Sequence, residues 1–377
     1  MRKKGVEAFR GVVEGIFPSA FCVVQRDPDD PERGLVSHTD GAGSKPVQSY
    51  LHWRETGDAS WFKGLAQDVV AMNLDDIICV GAKPIAFIDY ITLNTLLIDR
   101  VKLLDAIADG FTECLKMLTG QGTHLPFAGG ETADHPDQLR TLDVAGSIFG
   151  RLDLKDAVTS EMIAPGDIII GVRSGGRTKY EEALNSGIMC NGLTLARSSL
   201  MEPRYLDKYP ELAQPGRNRY TGRFRFDDRP NGLEMTVGEA LLSPTRIFAP
   251  IVAAVLAEFG GAIHGMVHNT GGGVTKCLHL GRGVHYVKDS LPEPDPIFEL
   301  IRREARVDWR EMYEDFNMGV GFEFIVDPEI ADEAVGISKG FGIWAQEIGR
   351  CERLVDQNVV TIKTKHGEFE YHRRFVD

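Results

Sequence analysis

The chain of 377 residues is long enough for two or three domains, and its 43% hydrophobic content is ordinary for packed globular cores. Its formal net charge at pH 7 is −13, and its lysine and arginine residues are spread along the chain. This acidic balance argues against nucleic acid or an anionic membrane as the main partner. A small anionic substrate would need local help from glycine loops, helix N-termini or Mg²⁺.

The six cysteines lack the close spacing of a zinc site or a redox pair. This predicts reduced, mostly buried thiols and favours the cytoplasm. Charged residues interrupt the apolar part of the N-terminal stretch "MRKKGVEAFRGVVEGIF", so we expect no export signal. The most apolar window, "IFAPIVAAVLAEFGGAIHGMV", contains Pro250 and Glu258 and is predicted to be a core-facing helix followed by a strand.

The first half of the chain predicts mixed helices and strands. Residues 62–93 indicate a helix, then a strand over "IICV", then a second strand over "PIAFIDYITL". Apolar residues at helical spacing in "DRVKLLDAIADGFTECLKMLTGQG" predict an amphipathic helix that ends at the glycines. "HLPFAGGETA" and "LDVAGSIFGRL" are predicted to be strands.

A break near residue 165 divides the chain into two predicted domains. Pro165 and Gly166 precede a continuous apolar strand in "APGDIIIGVRSGG", which gives an N-terminal domain over 1–165 and a C-terminal domain over 166–350. Residues 202–232 lack periodicity and are predicted to form an excursion or a mobile connection. Residues 351–377 are interpreted as a C-terminal extension.

Three glycine-rich loops lie at predicted strand ends: "DGAGSK" at 40–45, "GGETA" at 129–133 and "NTGGGVTK" at 269–276. None has the spacing of a P-loop or a dinucleotide-binding fingerprint, so each alone fits a tight turn as well as a site. Small residues let a backbone come close to a phosphate, and the charges of Asp40 and Lys45 beside the first loop suit a metal and an anion.

Six carboxylates lie within or beside apolar segments, where a charge is costly unless it is paired or binds a cation. They are Asp40, Asp68, Asp75, Asp76, Asp89 and Glu131. Oxygen ligands that leave positions open for phosphate oxygens are what Mg²⁺ in a nucleotide site requires. For Asp75 we favour a structural role as a helix cap or ion-pair partner. Histidines such as His268, surrounded by apolar residues, are interpreted as partly buried strand residues.

A series of stretches, taken in order, resembles the aminoimidazole ribonucleotide synthetase family, the phosphoribosylformylglycinamidine cyclo-ligases (PurM). They are "HTDGAGSK", "GLAQDVVAMNLDDIICVGAKPIAFIDY", "GGETAD", "PGDIIIGVRSGG" with "NGLTLAR", "LLSPTRIF", "HGMVHNTGGGVTKCL" and "MYEDFNMGVGFEF". The resemblance covers about residue 34 to about residue 350, and "LLSPTRIF", "HNTGGG" and "FNMG" favour this family over the wider superfamily.

The resemblance implies an α/β (α+β) fold of two domains. N-terminal strands of two subunits would form a shared barrel in a homodimer, with the ATP groove near that interface. The implied reaction is an ATP-dependent step of purine biosynthesis. Phosphorylation of the formyl amide oxygen of formylglycinamidine ribonucleotide allows the amidine nitrogen to close the ring, which gives aminoimidazole ribonucleotide, ADP and phosphate.

The resemblance also implies that the first half binds ATP and Mg²⁺. Asp40 and Asp68 are the implied metal ligands, Lys45 faces the triphosphate as a point charge, and Glu131 orients a metal or nucleotide group. These four are the predicted catalytic residues, because phosphoryl transfer needs mainly positioning and charge neutralisation. The predicted nucleotide-binding set adds Gly41, Gly43, Asp76, Asp89, Gly129, Gly130 and Thr132.

The second half is expected to bind the substrate. A backbone cradle for the ribose phosphate is predicted at Thr270, Gly271, Gly272 and Gly273. Thr245 and Arg246 are expected to border the same pocket, although an interdomain salt bridge explains Arg246 equally well. The predicted substrate-binding set is completed by Ser174, Gly175, Asn191 and Gly192.

One family loop, "S-G-L-H-[ST]-N-G-Y-S-L", is altered in this chain. We interpret it as "SGG" and "NGLTLAR" separated by an insertion over 176–190, with its histidine missing. No catalytic histidine is therefore assigned. Arg177, Lys179 and Tyr180 are alternative replacements, and the insertion is a candidate lid.

Two alternatives remain open at the level of sequence. The first is another ATP-dependent enzyme of the superfamily, such as a thiamine monophosphate kinase or a selenophosphate synthetase. The second is a catalytically weak nucleotide-binding subunit, which would bind ATP with Mg²⁺ but release no ADP in the presence of the cyclisation substrate.

Overall fold

The computed structural model describes residues 15–214, 216–217 and 219–375. The strands of these residues are β1 Val24–Arg26, β2 Arg33–Gly41, β3 Lys83–Leu93, β4 Phe127–Asp134, β5 Leu142–Asp153, β6 Ile168–Arg173, β7 Gly175–Gly176, β8 Asn185–Ser186, β9 Ile263–His268, β10 Val284–Lys288, β11 Val320–Val326, β12 Ala345–Arg353, β13 Gln357–Thr364 and β14 Gly367–Arg374. The α-helices are α1 Lys45–Thr56, α2 Gly64–Ile78, α3 Arg100–Gly120, α4 Leu193–Leu200, α5 Arg204–Lys208, α6 Val237–Leu242, α7 Ala249–Phe259, α8 Pro296–Ala305, α9 Trp309–Asp315 and α10 Ala331–Gly340.

The first sheet has five strands in the order β1-β2-β5-β3-β4. One cross-strand row places Asp40 of β2 opposite Gly146 of β5, Gly146 opposite Asp89 of β3, and Asp89 opposite Gly130 of β4. Neighbouring strands lie about 4.8 Å apart, so Asp40 and Asp89 are separated by about 10 Å. The sheet thus brings two of the sequence-predicted carboxylates into one row.

Strand β5 shows why this sheet is covered on one face only. Buried Val144, Gly146, Ile148 and Leu152 alternate with more exposed residues, and the buried side packs against helix α2. The opposite face carries Phe149, which is 43% exposed, and Tyr90, which is 46% exposed. The sheet therefore presents large apolar side chains on the face away from its helices.

The sequence-predicted elements of the first half are mostly confirmed. Helix α3 and strands β4 and β5 lie where they were expected, and β3 contains the run "PIAFIDYITL". The predicted strand over "IICV" is wrong, because α2 continues through Ile78. Most residues of α2 are buried on every side, so its sequence lacks the polar stripe that marks a surface helix.

The second sheet has seven strands in the order β14-β13-β10-β12-β6-β11-β9. The predicted helix followed by a strand in the most apolar window is confirmed as α7 and β9. Residues 351–375, interpreted from sequence as an extension, include the end of β12 and the β13–β14 hairpin, and β13 pairs in parallel with β10. These residues complete the sheet.

Asn358 of β13 fixes the segment that follows the 3-10 helix Gly273–His279. Its side-chain amide donates to the carbonyl groups of Leu278 at 3.1 Å, Leu280 at 2.7 Å and Gly281 at 3.2 Å. Its Oδ1 accepts from the amide of Val284 at 3.0 Å. Asn358 is fully buried, so these hydrogen bonds take the place of water at both the Nδ2 and the Oδ1 atom of its side chain.

Residues 202–232, predicted as an excursion, contain α5 and lie against α1. Arg54 of α1 pairs with Glu211 at 3.1 Å, and Lys208 pairs with Glu55 at 2.7 Å. The buried Arg197 also donates to the hydroxyl of Tyr220 at 2.9 Å. The first two contacts hold the segment against α1 of the first domain, and the third holds it against α4 of the second.

Helix α2 connects the two domains through Asp75. Its two carboxylate oxygens accept from the amides of Phe248 at 2.7 Å and Ala249 at 3.0 Å, where helix α7 begins. Asp75 is fully buried, and this burial raises the pKa of its carboxyl well above the usual value. The structural role favoured for Asp75 from sequence, that of a helix cap, is confirmed.

The predicted state of the cysteines is also confirmed: all six are free and buried. Burial raises the pKa of their thiols, which for Cys114 reaches about 12. Within residues 15–375, apart from the two undescribed positions, no helix is long and apolar enough to cross a bilayer.

We expect Asp75→Ala to lower the free energy of unfolding by about 1–3 kcal/mol, because two amides at the start of α7 lose their acceptor inside the protein. Urea denaturation at pH 7 measures this change. Asp75→Asn retains one acceptor oxygen and should lose less. Equal stability of the alanine variant and the wild type would contradict the capping role.

Candidate active site

Lys45 and Asp68 form a buried ion pair at the junction of the two domains. The Lys45 Nζ atom lies 2.6 Å from Asp68 Oδ1 and 2.6 Å from the carbonyl oxygen of Ser243, and the two charged side chains are 0% and 1% exposed. The same Asp68 oxygen accepts from the amide and the hydroxyl of Thr245, both at 2.7 Å. Lys45 and one oxygen of Asp68 are thus engaged within the protein, and the roles of Lys45 as a triphosphate-facing charge and Asp68 as a metal ligand stay predictions.

Asp76 forms the centre of a second polar cluster. Its Oδ1 lies 2.8 Å from His268 Nδ1, and its Oδ2 lies 3.3 Å from His38 Nε2 and 3.9 Å from Lys276 Nζ. Burial acts to raise the pKa of Asp76, but Lys276 and the two histidines outweigh it, so the pKa lies below the usual value. The cluster therefore keeps a carboxylate ionised in a buried position.

His268 orients this carboxylate. Burial lowers the pKa of His268, so the ring is neutral and its Nδ1 is the donor to Asp76. The ring is fully buried and lies beside Phe248 and Phe322, and its Nε2 has no partner among the described residues. This agrees with the interpretation of His268 as a buried strand residue and gives it a positioning function.

Asp40 lies next to this cluster, at the end of β2. Its Oδ1 accepts from the amide of Gly41 at 2.8 Å, and its carbonyl accepts from the Asn73 side chain at 3.1 Å. Burial raises the pKa of the Asp40 carboxyl, and the negative charge of Asp76 raises it further. Asp40 is exposed and Asp76 is buried, so Asp40 is the more accessible of the two carboxylates.

The loop after Asp40 packs against residues 190–194. Gly43 has a φ of 61°, and a Cβ there would lie 2.7 Å from the carbonyl oxygen of Cys190. The Thr194 hydroxyl donates to the Ser44 hydroxyl at 3.1 Å. The structure thus brings the predicted nucleotide loop beside the predicted substrate residues Asn191 and Gly192. Gly192 has a φ of 72° and directly precedes α4.

The altered family loop is one unbroken segment. The pattern "S-G-L-H-[ST]-N-G-Y-S-L" matches residues 186–195, "SGIMCNGLTL", without a gap, and Met189 stands where the pattern has histidine. The inserted residues therefore precede the loop and do not divide it. Ser174 and Gly175, assigned to the loop from sequence, lie beside its first residues: Gly175 of β7 pairs with Ser186 of β8, and Asn317 accepts from Ser174 at 3.0 Å and donates to the carbonyl group of Gly187 at 3.1 Å.

Thr270–Gly273 forms an open turn after β9. A Cβ built at Gly271 would meet no atom within 4 Å, whereas one at Gly273 would lie 2.3 Å from the carbonyl oxygen of Phe316. The amides of Thr270 and Gly273 bond within the turn, while those of Gly271 and Gly272 have no acceptor among the described residues. This turn offers two backbone donors to an anion.

Arg246 forms the ion pair that its alternative interpretation proposed, but with Glu181 of its own domain rather than across the two domains. Its guanidinium group binds both carboxylate oxygens of Glu181, at 2.8 and 2.7 Å, and donates to the carbonyl groups of Arg173 and Gly175. Arg246 is 1% exposed. Thr245 is likewise occupied with Asp68, so neither residue directs a free polar group to a ligand.

The predicted residues of β3 and β4 lie together at the edge of the first sheet. A Cβ at Gly130 would lie 1.5 Å from Asp89 Oδ1, so glycine is required there. Asp89, Gly130 and Thr132 line a cavity of about 420 Å³ against α3, and burial raises the pKa of Asp89 to about 6. Glu131 is exposed, beside Gly129 of the same strand, and accepts from the amide of Thr132 at 3.0 Å.

The sequence models of two protein domains match this chain. Residues 20–152 match the AIR synthase related protein N-terminal domain, and residues 164–360 match the AIR synthase related protein C-terminal domain. The chain belongs to the AIR synthase related protein family. The site described above therefore belongs to a member of this family. It includes the loop at Asn191 and Gly192, the Thr270–Gly273 turn and the carboxylates of Asp40 and Asp76.

Curated relatives carry the name phosphoribosylformylglycinamidine cyclo-ligase. The protein from Methanocaldococcus jannaschii is 33% identical over 340 residues, which covers 88% of this chain and 84% of the relative. The one from Methanothermobacter thermautotrophicus is 36% identical over 304 residues, which covers 80% of this chain and 76% of the relative. The resemblance seen in the sequence is confirmed.

Solved structures share the fold at low sequence identity. A HypE–HypF complex matches with a TM-score of 0.55 and 16% identity, covering 98% of each chain. AaThiL complexed with AMPPCP and TMP matches with a TM-score of 0.55 and 13% identity, covering 95% of this chain and 92% of AaThiL. These likenesses confirm the two-domain α/β fold.

We expect Lys45→Met to lower the free energy of unfolding by about 3–5 kcal/mol, because it leaves Asp68 buried without its cation. Chemical denaturation measures the loss. The double variant Lys45→Met/Asp68→Asn should lose less than the single variant, because no unpaired charge remains. A stable Lys45→Met protein that no longer binds ATP would instead support the sequence-predicted role.

Proposed function

We propose that this protein is an ATP-dependent cyclo-ligase that converts formylglycinamidine ribonucleotide to aminoimidazole ribonucleotide. The observation that carries the proposal is the position of the Asp40 and Asp76 carboxylates beside a lysine and an open glycine turn, in a chain whose curated relatives bear that name. The reaction transfers a phosphoryl group to the formyl amide oxygen. The amidine nitrogen then attacks the carbon of the phosphorylated formyl group, and the bond from this carbon to the phosphorylated oxygen breaks as phosphate leaves.

The cluster around Asp76 suits this chemistry because it supplies fixed charge rather than a nucleophile. The hydrogen bond from His268 Nδ1 holds the carboxylate in one orientation, and His38 approaches its other oxygen. Phosphoryl transfer depends mainly on such positioning and on charge neutralisation. We assign Asp76 to orienting the polar groups of the substrates, and His268 to positioning Asp76.

The residues of this site fit Mg²⁺ bound together with ATP. The described residues contain no group of three or more His, Cys, Asp or Glu side chains arranged to hold a metal ion. Mg²⁺ usually takes one or two protein carboxylates, with water and phosphate oxygens as its other ligands. Asp40 would be the protein ligand, because it is exposed, whereas Asp68 is buried and its Oδ1 is held by Lys45 and Thr245. When bound, the ion would neutralise charge on the triphosphate.

The glycine turn is assigned to a phosphate group. Its two free amides, from Gly271 and Gly272, provide the donors that a phosphate requires, and the space beside Gly271 is open. The ribose phosphate of the substrate is one candidate occupant. Asn191 and Gly192 remain predicted substrate residues, since their loop adjoins the loop after Asp40.

A kinase of the same fold is the competing function. AaThiL complexed with AMPPCP and TMP shares the fold of this chain. The curated relatives favour the cyclo-ligase, because they match at 33–36% identity over most of the chain. The assay below separates the two functions by substrate.

We expect purified protein with ATP and Mg²⁺ to release ADP only when formylglycinamidine ribonucleotide is present. Asp76→Asn should lower kcat by about 10²–10³-fold, the size typical of removing one preorganised electrostatic group. A coupled ADP assay measures both. The matched control is Asp153→Asn, whose side chain is 57% exposed and distant from the cluster in the sheet.

Two results would contradict the proposal. ADP release that depends on thiamine monophosphate would assign a kinase. ATP binding without ADP release in the presence of the cyclisation substrate would indicate a nucleotide-binding subunit.

We also propose a homodimer in a reducing compartment such as the cytoplasm. The uncovered face of the first sheet, with Phe149 and Tyr90, would pack against the same face of a second copy, as the family resemblance implies. Glu131 pairs with Tyr90 in the register of β3 and β4 and would lie near that interface. The six buried free thiols fit a reducing environment.

We expect the wild type to sediment as a dimer and Phe149→Lys to sediment as a monomer, because a charge on this face cannot be buried without a partner. Sedimentation velocity measures the change. Val355→Lys is the control, since Val355 is 71% exposed in the turn between β12 and β13. A dimeric Phe149→Lys protein would place the interface elsewhere.

A further inference from the structure

Lys276 is the lysine beside the open glycine turn. It lies in the 3-10 helix Gly273–His279, which directly follows the turn, and its side chain is 18% exposed. Its Nζ atom contacts the hydroxyl of Thr270, the first residue of the turn. The ammonium group also lies 4.5 Å from the centre of the Phe21 ring.

The ammonium group of Lys276 is only loosely engaged by acidic groups. Its distance to Asp76 Oδ2 is 3.9 Å, which is longer than a hydrogen bond. The buried lysines are held differently: Lys45 Nζ lies 2.6 Å from Asp68, and Lys288 Nζ lies 2.6 and 2.7 Å from the two oxygens of Glu323. Lys276 can therefore turn to a new anion while Asp76 keeps its hydrogen bond from His268 at 2.8 Å.

A phosphate at this turn needs a cation. The Asp76 carboxylate, whose Oδ2 lies 3.9 Å from Lys276 Nζ, would repel it. The amides of Gly271 and Gly272 supply hydrogen bonds but no full charge. Because Lys276 Nζ already contacts Thr270, a phosphate bound by the turn comes within its reach.

We propose that Lys276 binds a phosphate group of a substrate at the Thr270–Gly273 turn and separates its charge from Asp76. This inference rests on the proposed function and deepens it, because Lys276 takes the role that the sequence suggested for Lys45. The phosphate has two sources, the triphosphate of ATP and the ribose phosphate of the nucleotide substrate. Both present phosphate oxygens to the turn, and steady-state kinetics distinguishes the two sources.

The test compares Lys276→Met, which removes the charge and keeps the length of the side chain, with Lys276→Arg, which keeps the charge. Lys63→Met is the matched control, because Lys63 is also partly exposed and has a single carboxylate partner, Glu113 at 2.6 Å. Calorimetric titration with inorganic phosphate and with ADP and Mg²⁺ measures binding. Steady-state kinetics gives KM for ATP and for formylglycinamidine ribonucleotide.

We expect Lys276→Met to weaken phosphate binding by about 10-fold or more, as for the loss of a charged hydrogen bond. Lys276→Arg should retain most of the affinity, since arginine also binds phosphate. Lys63→Met should bind as the wild type does. An increase of KM for ATP alone assigns the lysine to the triphosphate, and an increase for the nucleotide substrate alone assigns it to the ribose phosphate.

Unchanged binding and unchanged KM values in Lys276→Met would overturn the inference. An equal loss in the methionine and arginine variants would also overturn it, because charge would then not be the property that matters. A wild-type protein that binds phosphate but does not turn over formylglycinamidine ribonucleotide would refute the proposed function alone. The phosphate titration would still decide the role of Lys276.

Discussion

The buried ion pair between Lys45 and Asp68 is the contact on which the arrangement of the two domains depends. Asp68 accepts hydrogen bonds from Thr245. About two turns further along the same helix, Asp75 accepts from the amides at the start of α7, and the neighbouring Asp76 binds His268 of β9. Helix α2 thus directs three carboxylates at the second domain. A buried carboxylate tolerates little displacement from its partners, so the same contacts that join the domains also fix the site between them.

Much of the fold follows from local pattern. Helix α3 has an apolar stripe, and β5 alternates between buried and exposed residues, so both were predicted. The helical end of α2 was not predicted. Its residues "IICV" are apolar and mostly β-branched, which is typical of a strand, and burial on all sides sets their helical state. The C-terminal hairpin was missed for a related reason, since its pairing with β10 joins segments about 75 residues apart.

The candidate site was predicted in outline. The residue types indicated that acidic groups and glycine loops contribute to the site. They did not show which lysine contacts which carboxylate. Lys45 and Lys276 both flank a glycine loop in sequence, and only the tertiary contacts show that the first is buried against Asp68. Met189 could have been found by aligning the family pattern at Ser186 rather than at Ser174.

Asn358 links the site to the order in which the chain is made. Its amide holds the carbonyl groups of Leu278, Leu280 and Gly281, just after the 3-10 helix that carries Lys276. Domains generally begin to fold while the ribosome is still adding residues. The first sheet can form early in synthesis, but the glycine turn cannot acquire its native support until β13 has emerged. Until then the carbonyl groups of Leu278, Leu280 and Gly281 lack the side chain that holds them.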